Sequence, residues 1–336
     1  MYFFNKSKPR LLIIGVLLIV FLSACNQNTI DVDEKELEIV MEENTEVLKP
    51  EAEETEVQVA FLDHLNDQEL KYIESMRAQE GLVVTIRKSG PVYRVDDNGQ
   101  ADGFHYNLVR YFADQIDLPL KLNTVRFSEY FEHNGEIPEN IKTDNSIAFT
   151  PDVLLNSHMI SDNLTIIEWR NKLMSFVEII PVSIVVITTD DLVLETKEDL
   201  RGLRVAIETN TTYYTEVSAL NEQMDLGLEV IPVGSGEVAI DFILNGEADF
   251  TLKDSNAALY EAKQEPRLNV NISISEAEYI GWAVAKDNQV MQGILEKFIK
   301  YALDNGQLDL YWEKEYGVPL RIYSELLGVF EYQTTD

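Results

Sequence analysis

Between residues 81 and 317 the hydrophobic positions follow two periods that alternate along the chain. Short apolar runs such as LVVTI (82–86) are typical of strands buried in a parallel sheet. Segments such as YNLVRYFADQIDL (106–118) instead place an apolar residue every three or four positions, along one face of a helix. The order strand, turn, helix, strand predicts a sheet with helical crossovers, which is an α/β fold.

The same alternation returns in the second half of the chain. Its predicted elements, in order, are a strand RVAI (204–207), a helix that begins at Thr211 or Thr212, a strand LEVIPV (228–233), a helix GEVAIDFILNG (236–246), a strand ADFTLKD (248–254) and a long helix (289–306). Two similar α/β halves predict two lobes with a cleft between them, and ligands of such folds bind in the cleft.

A further helix is predicted ahead of the first strand. The segment QELKYIESMRAQ (68–79) follows Asn66 and Asp67, either of which can cap a helix N-terminus. Gly81 lies beyond its end, where a glycine commonly stops a helix. Residues 63–80 are therefore predicted to form a helical lead-in to the first lobe.

The first 25 residues have the pattern of a secretory signal. Three basic residues precede the apolar run LLIIGVLLIVFL (11–22), which is too short for a comfortable membrane span. The tetrapeptide LSAC (22–25) follows, and it resembles a bacterial lipobox, in which the cysteine is lipidated and becomes the first residue of the mature chain. We expect a signal peptide over 1–24 and acyl chains on Cys25 that hold the protein on a membrane, facing the periplasm or the extracellular side. The alternatives are a plain secretory signal and an uncleaved anchor.

Composition adds a tether and excludes several functions. Residues 31–59 contain twelve acidic residues, two lysines and no aromatic residue, so residues 25–62 are predicted to be a disordered acidic tether. The 336 residues carry a formal net charge of -32, which argues against nucleic acid as a partner because phosphates require a basic surface. With four histidines, one cysteine and no HExxH motif, neither a metal site nor a cofactor is predicted. His105 and His133 are expected to be ordinary polar residues.

Several segments together resemble a known family. They are LVVTI (82–86) followed by DDNGQADGFHYNLVRYFADQI (96–116), LTIIEWRNKLMSFVEIIP (164–181), DLRGLRVAIETNTTY (199–213), ILNGEADFTLKDS (243–255) and IKYALDNGQLDLYWEKEYG (299–317). In their order and spacing they resemble the family 3 extracellular solute-binding proteins, the amino-acid-binding group of the type II periplasmic binding fold. The resemblance implies two lobes that close on a ligand held between them.

The resemblance also implies how the chain is divided. The predicted boundaries are 81–186 for the first part of lobe 1, 187–277 for lobe 2, 278–317 for the return to lobe 1 with its C-terminal helices, and 318–336 for a tail.

Two charged residues are the main candidates for ligand binding. In that family an arginine shortly after a threonine clamps the α-carboxylate of the ligand, and the resemblance gives these roles to Arg170 and Thr165, because a guanidinium fork suits a planar carboxylate. The acidic residue that receives the α-ammonium group corresponds to Asp254. Two alternatives stay open: Arg170 as a surface arginine beside Trp169, and Asp254 as the cap of a helix that begins at Ser255.

Further candidate contacts are implied in both lobes. The polar turn of the second lobe corresponds to Asn210, Thr211 and Thr212, at a helix N-terminus, where the helix dipole favours an anion. The aromatic turn that the family carries after its first strand is replaced by RKSGPVY (87–93), so Tyr93 is the candidate stacking ring. The departures from the family pattern leave the identity of the ligand open.

The resemblance implies a membrane-anchored lipoprotein that captures a small zwitterion, an amino acid or a relative of one, and delivers it to an ABC-type permease. The alternative is a ligand-sensing or regulatory module for muropeptides or amino acids, because the solute-binding half of certain membrane-bound lytic murein transglycosylases looks similar. An enzyme is not expected, since no G-x-S-x-G motif is present and the segment after Gly317 is too short for a lysozyme-like domain.

Overall fold

The computed structural model describes residues 60–79, 81–209 and 211–327. The predicted signal peptide, Cys25, most of the predicted tether and Asn210 lie outside the described residues. None of the helices in the described ranges is both long and apolar enough to span a membrane.

Strands and helices alternate along most of the described chain. The strands are β1 (Leu82–Arg87), β2 (Arg94–Val95), β3 (Ala101–Asp102), β4 (Leu120–Val125), β5 (Met159–Thr165), β6 (Met174–Val182), β7 (Ile184–Thr189), β8 (Arg204–Glu208), β9 (Glu229–Val233), β10 (Thr251–Asp254), β11 (Leu268–Ser273) and β12 (Glu278–Ala285). The α-helices are α1 (Asp67–Ala78), α2 (Phe104–Gln115), α3 (Asp152–Leu155), α4 (Glu168–Leu173), α5 (Thr212–Met224), α6 (Gly236–Leu244), α7 (Ser255–Gln264), α8 (Gln289–Asp304), α9 (Gln307–Tyr316) and α10 (Leu320–Leu326).

The first lobe is built on a five-stranded sheet with the strand order β4-β1-β5-β12-β6. Strand β1 pairs in parallel with both β4 and β5, which confirms the parallel strand predicted at 82–86. Strand β12 runs antiparallel between β5 and β6. Because β12 comes from the far end of the chain, this sheet is complete only after the chain has returned from the second lobe.

The second lobe repeats this arrangement. Strands β10, β7 and β11 form one sheet, and β8 and β9 form a parallel pair. A hydrogen bond from the N–H of Ala206 to the carbonyl oxygen of Phe250 (3.0 Å) joins β8 to the residue that precedes β10. The resulting order, β9-β8-β10-β7-β11, matches the first lobe position for position. In each lobe the antiparallel strand, β12 or β7, is the one that follows a crossing between the lobes.

The chain crosses between the lobes twice. The first crossing is at Ser183, between β6 and β7, and the second covers residues 274–277, between β11 and β12. Glu278 pairs with Val182, so the ends of the two crossings lie side by side. Two adjacent crossing segments form the type of hinge about which two lobes close. This is the predicted two-lobed α/β architecture.

Each lobe has a hydrophobic core of its own. In the first lobe Trp282 of β12 packs against α8, where its ring stacks on Phe298 with 6.3 Å between centroids. The ring centroid of Phe298 also lies 4.8 Å from that of Phe112 in α2, and all three side chains are buried. The second lobe has separate buried clusters, one around Phe250 and one around Ile240. Lobes with independent cores can move as units.

The lead-in segment is part of the first lobe. Helix α1 begins after Asn66, as predicted, and the side chains of Asn66 and Glu69 form a capping box and together accept from three backbone N–H groups, those of residues 66, 68 and 69. Glu69 also forms an ion pair with Lys297 of α8 at 2.7 Å. Phe61, which falls within the predicted tether, is buried against Phe298 with 5.7 Å between ring centroids. Ordered packing therefore begins before the predicted boundary of the tether.

The segment predicted to be a tail contains helix α10. Leu320 and Tyr323 of this helix are buried, and the ring of Tyr323 lies 4.6 Å from that of Trp312 in α9. The hydroxyl group of Tyr323 donates to the carbonyl oxygen of Pro181 (2.8 Å). Helix α10 is therefore fixed to β6, the strand that leads into the first crossing.

Candidate ligand-binding site

Arg170 lies on α4, a helix of six residues that follows the end of β5. Its Cζ atom is 5.2 Å from the ring centroid of Phe131, 5.3 Å from that of Trp169 and 5.6 Å from that of Phe127. A cation–π contact stabilises a guanidinium group by about 0.5 to 2 kcal/mol, depending on how far it is removed from water. The three rings therefore hold the guanidinium group without neutralising its charge.

The described residues use only part of the hydrogen-bonding capacity of Arg170. Nη1 donates to the carbonyl oxygen of Thr165 (2.9 Å), whereas Nε is buried without a partner. Burial lowers the pKa of Arg170 to about 10, although the carboxylates of Asp162, Asp254 and Glu278 act in the opposite direction. A buried guanidinium group with an unpaired N–H is unfavourable. A planar carboxylate that accepted from Nε and Nη2 side by side would satisfy it.

Thr165 is the last residue of β5 and pairs with Ile280 of β12. Its carbonyl oxygen accepts from Arg170, and no described residue forms a hydrogen bond with its hydroxyl group. The strand end therefore fixes the arginine through the backbone of Thr165. Its side chain remains available for the ligand contact that the resemblance implies.

Asp254 is the last residue of β10 and occupies the N-cap position of α7. Its carboxylate forms no capping hydrogen bond, so the alternative role of helix cap is not realised by the side chain. Burial raises the pKa of Asp254 to about 6, and the nearby charge of Glu278 raises it further. The hydrogen bond from Tyr213 and the positive charges of Arg170 and Lys253 act to lower it.

The charges of Arg170 in the first lobe and Asp254 in the second lobe each act on the pKa of the other. The described residues form no direct ion pair between them, since Arg170 bonds to Thr165 and its Nε is unpaired. A cation of one lobe and an anion of the other are complementary to a zwitterion placed between them.

The N-terminus of α5 carries the predicted polar turn. The hydroxyl group of Thr211 donates to the carbonyl oxygen of Glu208 (2.7 Å) and accepts from the N–H of Tyr214 (3.2 Å), so it serves as the helix cap. Thr212 is exposed, and no described residue forms a hydrogen bond with its hydroxyl group. Of the predicted group, Thr212 is therefore the free side chain, and Asn210 lies outside the described residues.

Tyr93 lies in the turn that follows β1. Its backbone pairs with that of Ser89, and its ring packs against that of Tyr106 with 5.3 Å between centroids. Gly90 of the same turn faces Tyr260 of α7, which lies 3.0 Å from the position that a Cβ atom would occupy. The turn of the first lobe thus touches the second lobe, whereas no ring contact or hydrogen bond of the described residues joins Tyr93 to Arg170. Its predicted stacking role stays a prediction.

A second arginine at the site was missed by the sequence analysis. Arg87, the last residue of β1, donates from Nε to Oδ2 of Asp162 (2.8 Å) and from Nη2 to Oδ1 (2.9 Å). Asp162 is fully buried, and Cζ of Arg87 lies 5.2 Å from the ring centroid of Phe127. The signal was an arginine at a strand end where the family carries an aromatic turn, but the partner lies 75 residues away.

His105 differs from the ordinary polar residue that was expected. Its side chain is fully buried, with Nε2 2.6 Å from Oδ1 of Asn163 and Nδ1 accepting from the indole N–H of Trp282 (2.9 Å). Because Nδ1 accepts, Nε2 carries the proton and donates to Asn163. Burial lowers the pKa of His105 to about 4, so the ring is neutral at pH 7. It connects β5 to β12 beneath the site.

Comparisons with known proteins show what the chain and its fold are similar to. No family model matches the chain. The chain is 24% identical over 241 residues to a membrane-bound lytic murein transglycosylase F of Saccharophagus degradans, covering 70% of this chain and 45% of that protein. It is 26% identical over 229 residues to the amino-acid-binding protein AabA of Dichelobacter nodosus, covering 67% of this chain and 83% of that protein. The chain spans about half the length of the transglycosylases that it matches.

Solved structures share the fold. An ancestral cationic amino acid solute-binding protein matches with a TM-score of 0.59 and 19% identity, over 73% of this chain and 99% of that chain. The L-cystine solute receptor of Neisseria gonorrhoeae matches with a TM-score of 0.57 and 17% identity, over 71% of this chain and 93% of that chain. The described residues therefore have the two-lobed fold of the family 3 amino-acid-binding solute-binding proteins. This confirms the resemblance and the fold class predicted from the sequence.

Proposed function

We propose that this protein binds a small zwitterion, an amino acid or a close relative of one, in the cleft between its lobes. One observation carries the proposal: the buried guanidinium group of Arg170 has an unpaired Nε, while Asp254 faces it from the other lobe without forming an ion pair. The α-carboxylate of the ligand binds Arg170 and Thr165, and the α-ammonium group binds Asp254. Thr212, at the start of α5, completes the second-lobe side together with Thr211 and Asn210.

Binding of this type requires no covalent chemistry. A ligand that contacts both lobes favours the closed arrangement, because only in that arrangement are both of its charges paired. We therefore propose a binding protein and not an enzyme. The similarity to AabA and to solved solute-binding proteins supports this proposal.

From the N-terminal sequence we propose that this binding protein is anchored to a membrane. Acyl chains on Cys25 anchor it, the acidic segment up to residue 59 separates the folded part from the surface, and the lobes face the periplasm or the extracellular side. The partner is an ABC-type permease that receives the ligand from the closed lobes.

A ligand-sensing module is the second candidate. The observation that favours it is the match to the membrane-bound lytic murein transglycosylases, which recurs in several species. In this candidate the closed lobes bind a regulatory or signalling partner, and the ligand is a muropeptide or an amino acid. Co-purification from solubilised membranes separates the two: a permease complex supports transport, and a cell-wall enzyme or signalling protein supports sensing.

Isothermal titration of residues 26–336 against the twenty L-amino acids tests the proposal. We expect heat from a subset of them and a loss of affinity of about 100-fold or more in Arg170→Ala, because the carboxylate loses its charged partner in a site removed from water. Thr143→Ala, which alters an exposed residue of the first lobe, is the control and should bind like the wild type. A folded protein that binds no amino acid would contradict the amino-acid proposal and direct the search to muropeptides.

A further inference from the structure

The hydroxyl group of Tyr323 connects three segments at the hinge. It donates to the carbonyl oxygen of Pro181 (2.8 Å), so its oxygen accepts from the hydroxyl group of Ser255 (2.7 Å) at the start of α7. The Oγ atom of Ser255 accepts from the N–H of Ser183 (3.1 Å), and the N–H of Ser255 donates to the carbonyl oxygen of Ser183 (2.8 Å). We call these four hydrogen bonds the circuit. Each donor in it has one acceptor, so the bonds join α10, the first crossing and α7.

The circuit is buried and includes the neighbours of the candidate ligand residue. Ser183, Ser255 and Tyr323 are at most 4% exposed, so water cannot replace a lost bond without a movement of the chain. Ser255 directly follows Asp254, and Ser183 is the first crossing. Asp254 pairs with Ile184 of β7 beside the hinge, and the hydroxyl group of Tyr323 adds a side-chain bond to the residue that follows it.

Polar atoms beside the circuit have no partners in this arrangement. They are Oγ of Ser183, Nδ2 of Asn256 and Oγ of Ser324, all buried and unpaired among the described residues. Native proteins pair nearly all buried polar atoms, so such atoms require an explanation. They belong to the first crossing, α7 and α10, the three segments that these hydrogen bonds join.

We propose that Tyr323 is a positioning residue for Asp254: its hydroxyl group fixes the start of α7 to the hinge, so that the C-terminal helix α10 determines how Asp254 meets the ligand when the lobes close. The role of Asp254 in this proposal rests on the proposed function. The coupling between Tyr323, the hinge and Asp254 does not, and it can be measured without a ligand.

Tyr323→Phe in residues 26–336 removes the hydroxyl group and keeps the ring against Trp312. Two NMR measurements report the effect in the absence of ligand. We expect the backbone N–H of Ser183 to exchange with solvent at least about tenfold faster, because Ser255 has lost the acceptor that orients it. We also expect the pKa of the Asp254 carboxyl group to fall by about half a unit or more, because a loosened α7 admits water and burial is what raises this pKa.

Tyr301→Phe is the matched control. It also removes a tyrosine hydroxyl group, one that donates to Oε1 of Gln115 (3.3 Å) within the first lobe, and it should change neither measurement. The proposal is overturned when Tyr323→Phe behaves like Tyr301→Phe in both. If Tyr323→Phe does not fold, Ser255→Ala breaks the same bond from the other side, and the pKa of Asp254 must fall in the same way. Exchange of the Ser183 N–H does not count in that variant, because Oγ of Ser255 is its direct acceptor.

The amino-acid titration distinguishes this proposal from the proposed function. Any of the twenty L-amino acids that binds the wild type should bind Tyr323→Phe about three- to tenfold more weakly and Tyr301→Phe equally well. If none of them binds the wild type, the proposed function fails while both NMR measurements still decide whether Tyr323 positions Asp254.

Discussion

Two arginines of the first lobe lie against the same phenylalanine, and their surroundings differ in one respect. Arg87 and Arg170 approach the ring of Phe127 to 5.2 and 5.6 Å, but Arg87 has a buried carboxylate, Asp162, as a bidentate partner, whereas Arg170 has none. The hydrogen bond and charge of Asp162 outweigh burial and raise the pKa of Arg87, while burial prevails at Arg170 and lowers its pKa. Arg87 is paired by a carboxylate of the protein, whereas Arg170 keeps an unpaired Nε, which a ligand carboxylate would satisfy in the proposed function.

The largest effect is expected for the satisfied arginine. Arg87→Ala leaves Asp162 fully buried without its cation, so the free energy of unfolding should fall by about 3 to 5 kcal/mol. Urea unfolding followed by far-UV circular dichroism measures this. Arg170→Ala removes a buried cation that has no carboxylate partner and should change the free energy of unfolding by less than about 1 kcal/mol. Equal losses of unfolding free energy in the two variants would contradict the distinction between a paired Arg87 and an unpaired Arg170.

Arg170→Lys tests whether the shape of the charge matters. Lysine keeps the positive charge but offers a point charge in place of a planar fork, so the affinity for the bound amino acid should fall by about 10- to 100-fold. Calorimetry measures the affinity, and the melting temperature should stay near that of the wild type. An unchanged affinity would mean that no carboxylate is bound side-on at this position.

The role of Asp254 in the second lobe can be tested by measuring ligand affinity and stability as a function of pH. The pKa of Asp254 is raised to about 6, so its carboxylate form is depleted as the pH falls through 6, and the affinity should be about tenfold weaker at pH 5 than at pH 7. The folding contribution has the opposite sign: because the folded-state pKa is raised, the contribution of Asp254 to stability is lost as the pH rises through 6. Asp254→Asn should bind weakly and show neither dependence at this step. The charged groups that act on Asp254 from the neighbouring elements are Glu278, Arg170 and Lys253.

The smallest effect is expected at the shared ring. Phe127→Leu removes the cation–π contact to both arginines from a side chain that is 39% exposed, so the affinity should fall by less than about fivefold and the free energy of unfolding by less than about 1 kcal/mol. Titration and urea unfolding of the same variant measure the two quantities. A change in only one of them would show that the ring supports a single arginine.

The local sequence pattern was sufficient to predict the helices and strands. The strand at β1, the capped helix α1, the helix that begins at Thr212 and the strand that ends at Asp254 all lie where period, caps and turn residues predict them. The residues that define the site in space were not all predictable in this way. The partner of Arg87 is 75 residues away and that of Tyr323 is 68 residues away, and neither separation leaves a periodic signal.

The sequence by itself therefore determined the α/β class, the two repeats and the order of elements, because these depend on periodicity and on turn and cap residues that are read within a few positions. The candidates Arg170 and Asp254 came from the resemblance to a family, which also needs no tertiary structure. Only the tertiary structure decided which arginine is already paired, that His105 is neutral and buried, that Thr211 is occupied as a cap, and that α10 reaches the hinge. The physical reason is that the burial of a side chain and the pairing of its charge depend on which distant residues surround it. Strands β7 and β12, each of which follows a crossing between the lobes, bring such distant segments together.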